Sequence, residues 1–152
     1  MKGVARERHS RWTTPVNATS IADRMGFTPG QLILEVGFDD ECDQDLHQAI
    51  AAKSGSPLLR KGSDQVVDAV LLWFRDGEND LVDELVDVLT YLSESGPIWL
   101  MTPKVGQGGH VDAADIQDAA PTAGLTQTVS FLAATNWSAT RLVARKSQSS
   151  KK

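Results

Sequence analysis

Two kinds of hydrophobic pattern alternate along the chain. Short runs of almost entirely apolar residues are typical of strands buried in a parallel sheet, and they occur at residues 32–38, 66–74 and 97–101. Segments in which apolar residues recur every three or four positions predict helices at residues 43–54 and 80–94. Strands that alternate with helices predict an α/β domain whose mostly parallel sheet is covered on both faces.

Shorter signals complete the pattern. Gly and Pro punctuate the chain, and Ser or Thr before an apolar segment is typical of a helix start. The further predicted elements are a short helix capped by Thr19 or Ser20 and ended by Gly26, a short strand at residues 57–61, a helix at 112–119, and two strands at 125–134 and 140–144 joined through residues 136–138. We expect the closing pair of strands to include one antiparallel strand.

The length and composition favour one soluble domain. The chain has 152 residues, and its single cysteine, Cys42, rules out an internal disulfide or a multi-cysteine zinc site. No apolar run approaches the roughly 20 residues that a membrane-spanning helix needs, so we expect a cytoplasmic protein with no membrane partner. The predicted limits are a flexible basic arm at residues 1–18, an α/β domain at 19–145 and a disordered basic tail at 146–152.

The formal net charge of -5 is unevenly distributed along the chain. Residues 1–20 carry a formal charge of +3 and residues 141–152 carry +5, so residues 21–140 carry -13. An acidic body repels a phosphate backbone, and we therefore do not expect nucleic acid as a partner. The alternative is a salt-sensitive contact with nucleic acid through the basic ends alone.

The residues after the first strand limit the chemistry that the domain can perform. Glu35 and Gly37 end that strand as they do in nucleotide-binding loops. Further glycines are needed in such loops, because a Cβ keeps the backbone from approaching a ligand. Asp39 and Asp40 supply bulk and negative charge in their place.

The same segment has a partial calcium-loop pattern. Carboxylates at positions 39, 41, 43 and 45 alternate like the early ligands of such a loop. Gln44 replaces the turn glycine and Ile50 replaces the final bidentate glutamate, which excludes that motif. We expect no bound metal here and a solvated helix start, with a Mg²⁺ or Ca²⁺ contact as the alternative.

The segment at residues 102–110 follows another predicted strand and contains three glycines. Backbone N–H groups of such a loop, together with Lys104 and His110, suit an anion at the carboxyl edge of the sheet. A mobile connector with solvated side chains is the alternative. No catalytic residue is identified, and the candidate ligand-binding residues are Glu35, Gly37, Asp39, Asp40, Thr102, Lys104, Gly106, Gly108, Gly109 and His110.

A candidate partner-binding site lies near the C-terminus. Trp137 follows Asn136 in a predicted turn, where its side chain is expected to be exposed. Trp and Arg are enriched at interface hot spots, so Trp137, Ser138 and Arg141 suit a protein contact. The alternative is that Trp137 caps the sheet.

Several motifs resemble known families. Residues 25–37 resemble the start of the nucleotide-binding half of class I S-adenosylmethionine-dependent methyltransferases, and the final pair of strands is similar to theirs. Over nearly the whole chain the closer resemblance is to an uncharacterised actinobacterial family, the domain of unknown function DUF 3052. The blocks that carry it are residues 67–75, 98–104, 120–125 and 136–143. The resemblance implies a fold and no established activity.

Three features depart from the methyltransferase pattern. The glycine-rich turn retains Gly37 only. Arg60 and Lys61 lie where an acidic residue is expected to hold ribose hydroxyls. The chain is also short by about one strand and one helix.

The expected fold is therefore a single Rossmann-like, methyltransferase-like three-layer α/β domain. We expect a non-catalytic protein in a regulatory role, a pseudoenzyme without a resident cofactor that binds a protein partner or a small anionic ligand. The alternative is an S-adenosylmethionine-dependent methyltransferase with an atypical acidic loop, and one fold hosts many functions. The oligomeric state and the identity of the ligand stay open.

Overall fold

The structure is a computed structural model, and it describes residues 18–62 and 65–144. Most of the predicted basic arm and all of the predicted basic tail lie outside these residues. Within the described ranges, no helix combines the length and the apolar character needed to cross a membrane.

The described residues form helices and strands in alternation. The helices are α1 (Ala18–Arg24), α2 (Gln44–Ser54), α3 (Leu81–Leu89) and α4 (Ala113–Thr122), and the strands are β1 (Ile33–Val36), β2 (Ala69–Trp73), β3 (Ile98–Pro103), β4 (Leu125–Ala134) and β5 (Trp137–Ala144).

The five strands form one mixed sheet in the order β1-β2-β3-β5-β4. The first three strands are parallel to each other, and β5 is antiparallel to both β3 and β4. This confirms the prediction of a mostly parallel sheet with one antiparallel strand near the C-terminus. The predicted strand at residues 57–61 is reduced to one bridge, in which Leu59 pairs with Leu34 at the free edge of β1.

Helices cover both faces of the sheet. Successive side chains of a strand point to opposite faces, so Leu71 and Trp73 of β2 belong to one core cluster and Val70 and Leu72 to the other. The first cluster packs under α1 and α2, and the second packs under α3 and α4. All five residues of β2 are consequently buried, as the apolar run predicts.

Capping residues explain where α2 and α3 begin, the two helices that the sequence predicts most clearly. Asp43 precedes α2 and accepts a hydrogen bond from the backbone N–H of Leu46 at 2.8 Å, and Asp80 does the same for Asp83 before α3 at 3.0 Å. Gly55 ends α2 in the left-handed conformation, with φ of 85°, and its N–H donates to the Ala51 carbonyl.

Long-range pairing shortens one predicted helix. The helix predicted at residues 80–94 ends at Leu89, because the chain beyond it pairs with Val67. The N–H of Val67 donates to the Tyr91 carbonyl and the N–H of Ser93 donates to the Val67 carbonyl, both at 2.8 Å. A helix cannot continue through residues that make these bonds.

Other element limits also differ from the prediction. Helix α1 begins at Ala18, so Thr19 and Ser20 lie in its first turn and do not precede it. Helix α4 extends through Pro121, one residue before its end, although proline has no N–H to donate to the carbonyl four residues earlier. Strand β5 begins at Trp137, three residues early, because β3 extends to Pro103 and the two residues pair.

Candidate ligand-binding site

A buried carboxylate ends the first strand. The side chain of Glu35 is only 4% exposed, and its Oε2 accepts the indole N–H of Trp73 at 3.0 Å. Nδ1 of His47 lies 2.8 Å from the same oxygen, and the ring of Phe38 stacks on His47 with 4.1 Å between centroids. Hydrogen bonds of this kind offset the large cost of burying a carboxylate. Glu35 thus joins β1, β2 and α2 inside the core.

Gly37 is required by the packing of the loop that follows β1. Its φ of 84° lies in the left-handed region, which disfavours residues with a Cβ. A Cβ at this position would also press into the backbone carbonyl of Trp73. The sequence predicts that glycine in this loop lets a ligand come close to the backbone. In the structure, the neighbouring strand β2 comes close to Gly37 instead.

Arg75 connects the loops that follow β1 and β2. Its guanidinium lies 2.8 Å from the Asp39 carboxylate, and the more distant carboxylates of Glu41 and Glu78 lie at 3.8 Å and 3.9 Å. The guanidinium carbon is 5.2 Å from the ring centroid of Trp137, within the range of a cation–π contact. Only 11% of the Arg75 side chain is exposed, so the ion pair occupies the space between the two strand ends.

The ion pair alters the acid–base chemistry of its neighbours. Burial opposes ionisation of Asp39, but the Glu41 N–H and the Arg75 guanidinium outweigh it and hold the pKa of that carboxyl below its usual value. Burial, assisted by the charge of Asp39, raises the pKa of the Cys42 thiol to about 11. The thiol is therefore neutral at physiological pH and unsuited to nucleophilic chemistry.

The glycine-rich loop after β3 is tied to the same edge. The N–H of Asp76 donates to the Gly109 carbonyl at 2.9 Å, and a Cβ at Gly109 would come within 2.9 Å of the Arg75 Cβ. Nδ1 of His110 lies 2.9 Å from the Pro103 carbonyl. The N–H of Lys104 donates to the Asn136 carbonyl at 2.9 Å. These bonds anchor both ends of a loop that composition alone predicted to be flexible.

A cavity of about 320 Å³ opens beside Arg75, between the loops after β1 and β3. The polar residues that line it are Arg75, Glu41, Gln107 and Asn136, together with Gly108. Hydrogen-bond donors of several kinds therefore converge on one small volume, which is typical of ligand sites.

The predicted site residues are only partly brought together. Gly108 lines the cavity, and Asp39 forms an ion pair with Arg75, which also lines it. The other eight candidates do not line it: Glu35, Gly37, Asp40, Thr102, Lys104, Gly106, Gly109 and His110. The candidate ligand-binding residues predicted from the sequence did not include Arg75, Glu41, Gln107 or Asn136, although the first three lie in the segments 37–41, 75–77 and 102–110 that the sequence places at the working edge of the sheet. One feature of the sequence could have identified Arg75: it is a basic residue that follows the carboxyl end of the most apolar strand.

The expected exposure of Trp137 is wrong. The residue is 4% exposed and lies edge-on to Trp73, with 4.9 Å between ring centroids. Its pairing with Pro103 places it in β5 and out of the connecting turn. Ser138 and Arg141 are half-buried on the same strand, and a partner contact there stays a prediction.

The acidic segment after β1 has specific local roles. Asp39 pairs with Arg75, and Asp43 caps α2. Within residues 18–62 and 65–144, no three His, Cys, Asp or Glu side chains are grouped so that they could hold a metal ion.

Comparison with known proteins first identifies relatives by sequence. A family model described as "Protein of unknown function (DUF3052)" matches residues 22–146. Uncharacterised proteins of Mycobacterium tuberculosis and Mycobacterium bovis are each 48% identical over 136 residues, which cover 90% of this chain and 85% of theirs.

Solved structures share the fold at low sequence identity. A methyltransferase from Aquifex aeolicus, described as SAM-dependent, superposes with a TM-score of 0.56 at 9% identity and covers 90% of this chain and 97% of its own. The pyocyanin biosynthetic protein PhzM has a TM-score of 0.62 at 12% identity over 85% of this chain, which spans 54% of that protein. The 1,6-didemethyltoxoflavin-N1-methyltransferase of Burkholderia thailandensis has a TM-score of 0.54 at 11% identity, over 91% of this chain and 83% of its own. The likeness establishes a methyltransferase-like Rossmann fold.

Proposed function

The chain belongs to the DUF3052 family of proteins of unknown function, and we propose that it is a non-catalytic, methyltransferase-like domain that acts by binding. Its ligand is a protein partner or a small anion at the carboxyl edge of the sheet, and its role is regulatory. The observation that carries the proposal is the Arg75–Asp39 ion pair, which closes the crevice in which this type of fold binds its ligands.

The location of that crevice follows from the topology. Open α/β sheets bind ligands outside the carboxyl ends of their strands, where successive connections leave in opposite directions. From β1 the chain first crosses to Leu59 on one side and then returns to β2 on the other. Asp39 follows β1 and Arg75 follows β2, so their ion pair spans this point of the sheet.

The residues at the crevice do not suit S-adenosylmethionine. Gly37 packs against the backbone carbonyl of Trp73, which explains the need for glycine here without a cofactor. Arg60 and Lys61 follow Leu59, so among the described residues basic side chains take the positions where a carboxylate would accept hydrogen bonds from ribose hydroxyls. The Lys61 ammonium is instead paired with Asp87 of α3. We derive no methyl-transfer step from this arrangement.

Arg75 is well placed to exchange one carboxylate for another. Its side chain is held by packing against Trp137 and by Gly109, whereas Asp39 is 52% exposed and can leave with little loss of packing. An incoming carboxylate or phosphate could take the place of Asp39 on the guanidinium, with the amides of Gln107 and Asn136 as further donors. A small anion and an acidic side chain of a partner have the same chemistry at this point.

The alternative function is an S-adenosylmethionine-dependent methyltransferase with an atypical acidic loop. Two observations favour it: Gly37 keeps the left-handed turn, and Glu35 keeps a buried carboxylate at the end of β1. For this alternative to hold, the Arg75–Asp39 ion pair must open when the cofactor binds.

Ligand titration separates the two proposals. We would add S-adenosylmethionine, S-adenosylhomocysteine and inorganic phosphate separately, and follow thermal unfolding together with tryptophan fluorescence. A ligand of the native state raises the apparent stability by about 2.7 kcal/mol at a hundred times its Kd. The matched variants are Arg75→Met, which removes the guanidinium of a residue that lines the cavity, and Arg60→Met, which removes an exposed guanidinium that does not line it.

The expected result is stabilisation by phosphate that Arg75→Met abolishes and Arg60→Met keeps, with no response to either adenosyl compound. Saturable binding of S-adenosylmethionine or S-adenosylhomocysteine would overturn the non-catalytic proposal. If phosphate has no effect, a small anion is excluded as the ligand and an acidic protein partner remains. Arg75→Met must then weaken the binding of that partner.

A further inference from the structure

A groove with an apolar floor and a polar rim lies between the first turn of α3 and the side of α4, on the face of the sheet opposite α2. It encloses a volume of about 340 Å³. Its floor is formed by the buried residues Phe74, Val111 and Ala119. This α3–α4 groove does not contain Arg75 or Asp39, so an inference about it does not depend on the proposed function.

The rim of the groove is strongly acidic. Asp76 and Asp80 lie on one side, and Asp115 and Asp118 lie on the other, while no Lys, Arg or His among the described residues lines it. Within the described part of the chain, none of these four carboxylates makes an ion pair. Low-dielectric walls concentrate the field of like charges in a cleft. The groove therefore attracts cations and repels anions.

The apolar floor adds a second requirement for the occupant. A simple cation gains no hydrophobic free energy at Phe74 or Ala119, whereas an apolar side chain placed over them gains roughly 25 cal/mol for each Å² removed from water. Grooves between two helices bind peptide segments in this way, with apolar anchors in the groove and charges along the rim.

We propose that the α3–α4 groove docks a basic amphipathic segment of a partner protein. An apolar side chain of that segment lies over Phe74 and Ala119, and flanking Lys or Arg side chains approach the rim carboxylates. Charge complementarity selects this occupant. Nucleic acid and anionic lipid surfaces are repelled by the rim, and so is the acidic surface of a second copy, since residues 21–140 carry a formal charge of -13.

The test uses three fluorescein-labelled peptides of equal length in a fluorescence-anisotropy titration. The first alternates pairs of Leu and Lys, the second has Glu in place of each Lys, and the third has Ser in place of each Leu. The groove variant is Asp115→Asn with Asp118→Asn. The matched control is Asp45→Asn with Glu94→Gln, which removes the same charge from exposed positions outside the groove.

The Leu/Lys peptide is expected to bind the native chain, and the groove variant is expected to weaken that binding about fivefold, as the loss of two rim ion pairs implies. The control variant should stay within about twofold, because uniform charge effects act on both variants alike. Circular dichroism would check that all variants keep the fold.

Three results would overturn the proposal. The first is no binding of the Leu/Lys peptide at low salt. The second is equal weakening by the groove and control variants, which would mean that the peptide responds to net charge alone. The third is equal binding of the Ser/Lys peptide, which would show that the apolar floor contributes nothing and that the groove takes only simple cations.

Discussion

Trp73 donates its indole N–H to Glu35 across 3.0 Å, and both side chains are buried. The sheet register pairs Glu35 with Leu71, so the indole reaches back along the same face from two residues further along β2. One hydrogen bond thus joins the carboxyl ends of β1 and β2 directly beneath the Arg75–Asp39 ion pair. The geometry of the candidate site depends on a contact inside the core.

Trp73→Phe is expected to destabilise the fold by about 2 kcal/mol more than Trp99→Phe, because a buried carboxylate then loses a donor. The two substitutions remove the same atoms from buried tryptophans, but the indole N–H of Trp99 has no hydrogen-bond partner among the described residues. Urea denaturation of both variants would measure the difference. Equal losses would mean that packing, and not the bond to Glu35, fixes Trp73.

Gly37→Ala is expected to cost far more stability than Gly77→Ala. Both glycines have positive φ, 84° and 93°, and an alanine in that conformation lowers the stability of the fold by about 1 kcal/mol. At Gly77 no atom of the described residues lies within 4 Å of an added Cβ, whereas at Gly37 the Cβ meets the Trp73 carbonyl. Thermal unfolding of the two variants would show the difference. Similar shifts in Tm would indicate that the loop after β1 moves freely away from β2.

The elements predicted well from the sequence are those whose signals are local. Strand β2 is buried on both faces, so its apolar run needs no knowledge of its neighbours. Helix α2 has its capping residue and its terminal glycine next to it in the sequence, at Asp43 and Gly55. In both elements the residues that determine the structure lie within a few positions of each other, so a short segment of sequence is enough to predict them.

The features missed from the sequence depend on distant partners. Trp137 is buried because β3 extends far enough to pair with it. The end of α3 is set by Val67, more than twenty residues earlier in the chain. The central ion pair joins Asp39 to Arg75, which are 36 residues apart. No local pattern around either residue predicts that they meet.

Asp39→Asn is expected to lower stability at neutral pH and to have no effect in acid. Folding lowers the pKa of Asp39, so the unfolded chain binds more protons near pH 4 and stability rises with pH there. The contribution is present above the unfolded pKa and is lost as the pH falls through the folded one. Because Asp39 is half exposed, the loss should be below about 1 kcal/mol.

Urea denaturation at neutral pH and at a series of lower values down to about pH 2 would check this dependence, since the contribution is lost only as the pH falls through the lowered pKa of the folded state. Asp40→Asn is the control: it removes the same charge next to Asp39 but breaks no ion pair within the described residues. A difference between wild type and Asp39→Asn that persists in acid would show that the ion pair with Arg75 is not its source.

The Cys42 thiol is expected to resist alkylation in the native protein. Burial raises its pKa to about 11, so at pH 8 its thiolate fraction is on the order of a hundredfold lower than that of an ordinary cysteine. The rate with iodoacetamide, followed by mass spectrometry, should rise about tenfold for each pH unit towards the pKa while the fold persists. The same protein in urea should react at once. Rapid alkylation of the native chain at pH 8 would mean that the loop after β1, which contains Asp39 and Cys42, readily moves away from Arg75. The crevice would then be accessible to ligands.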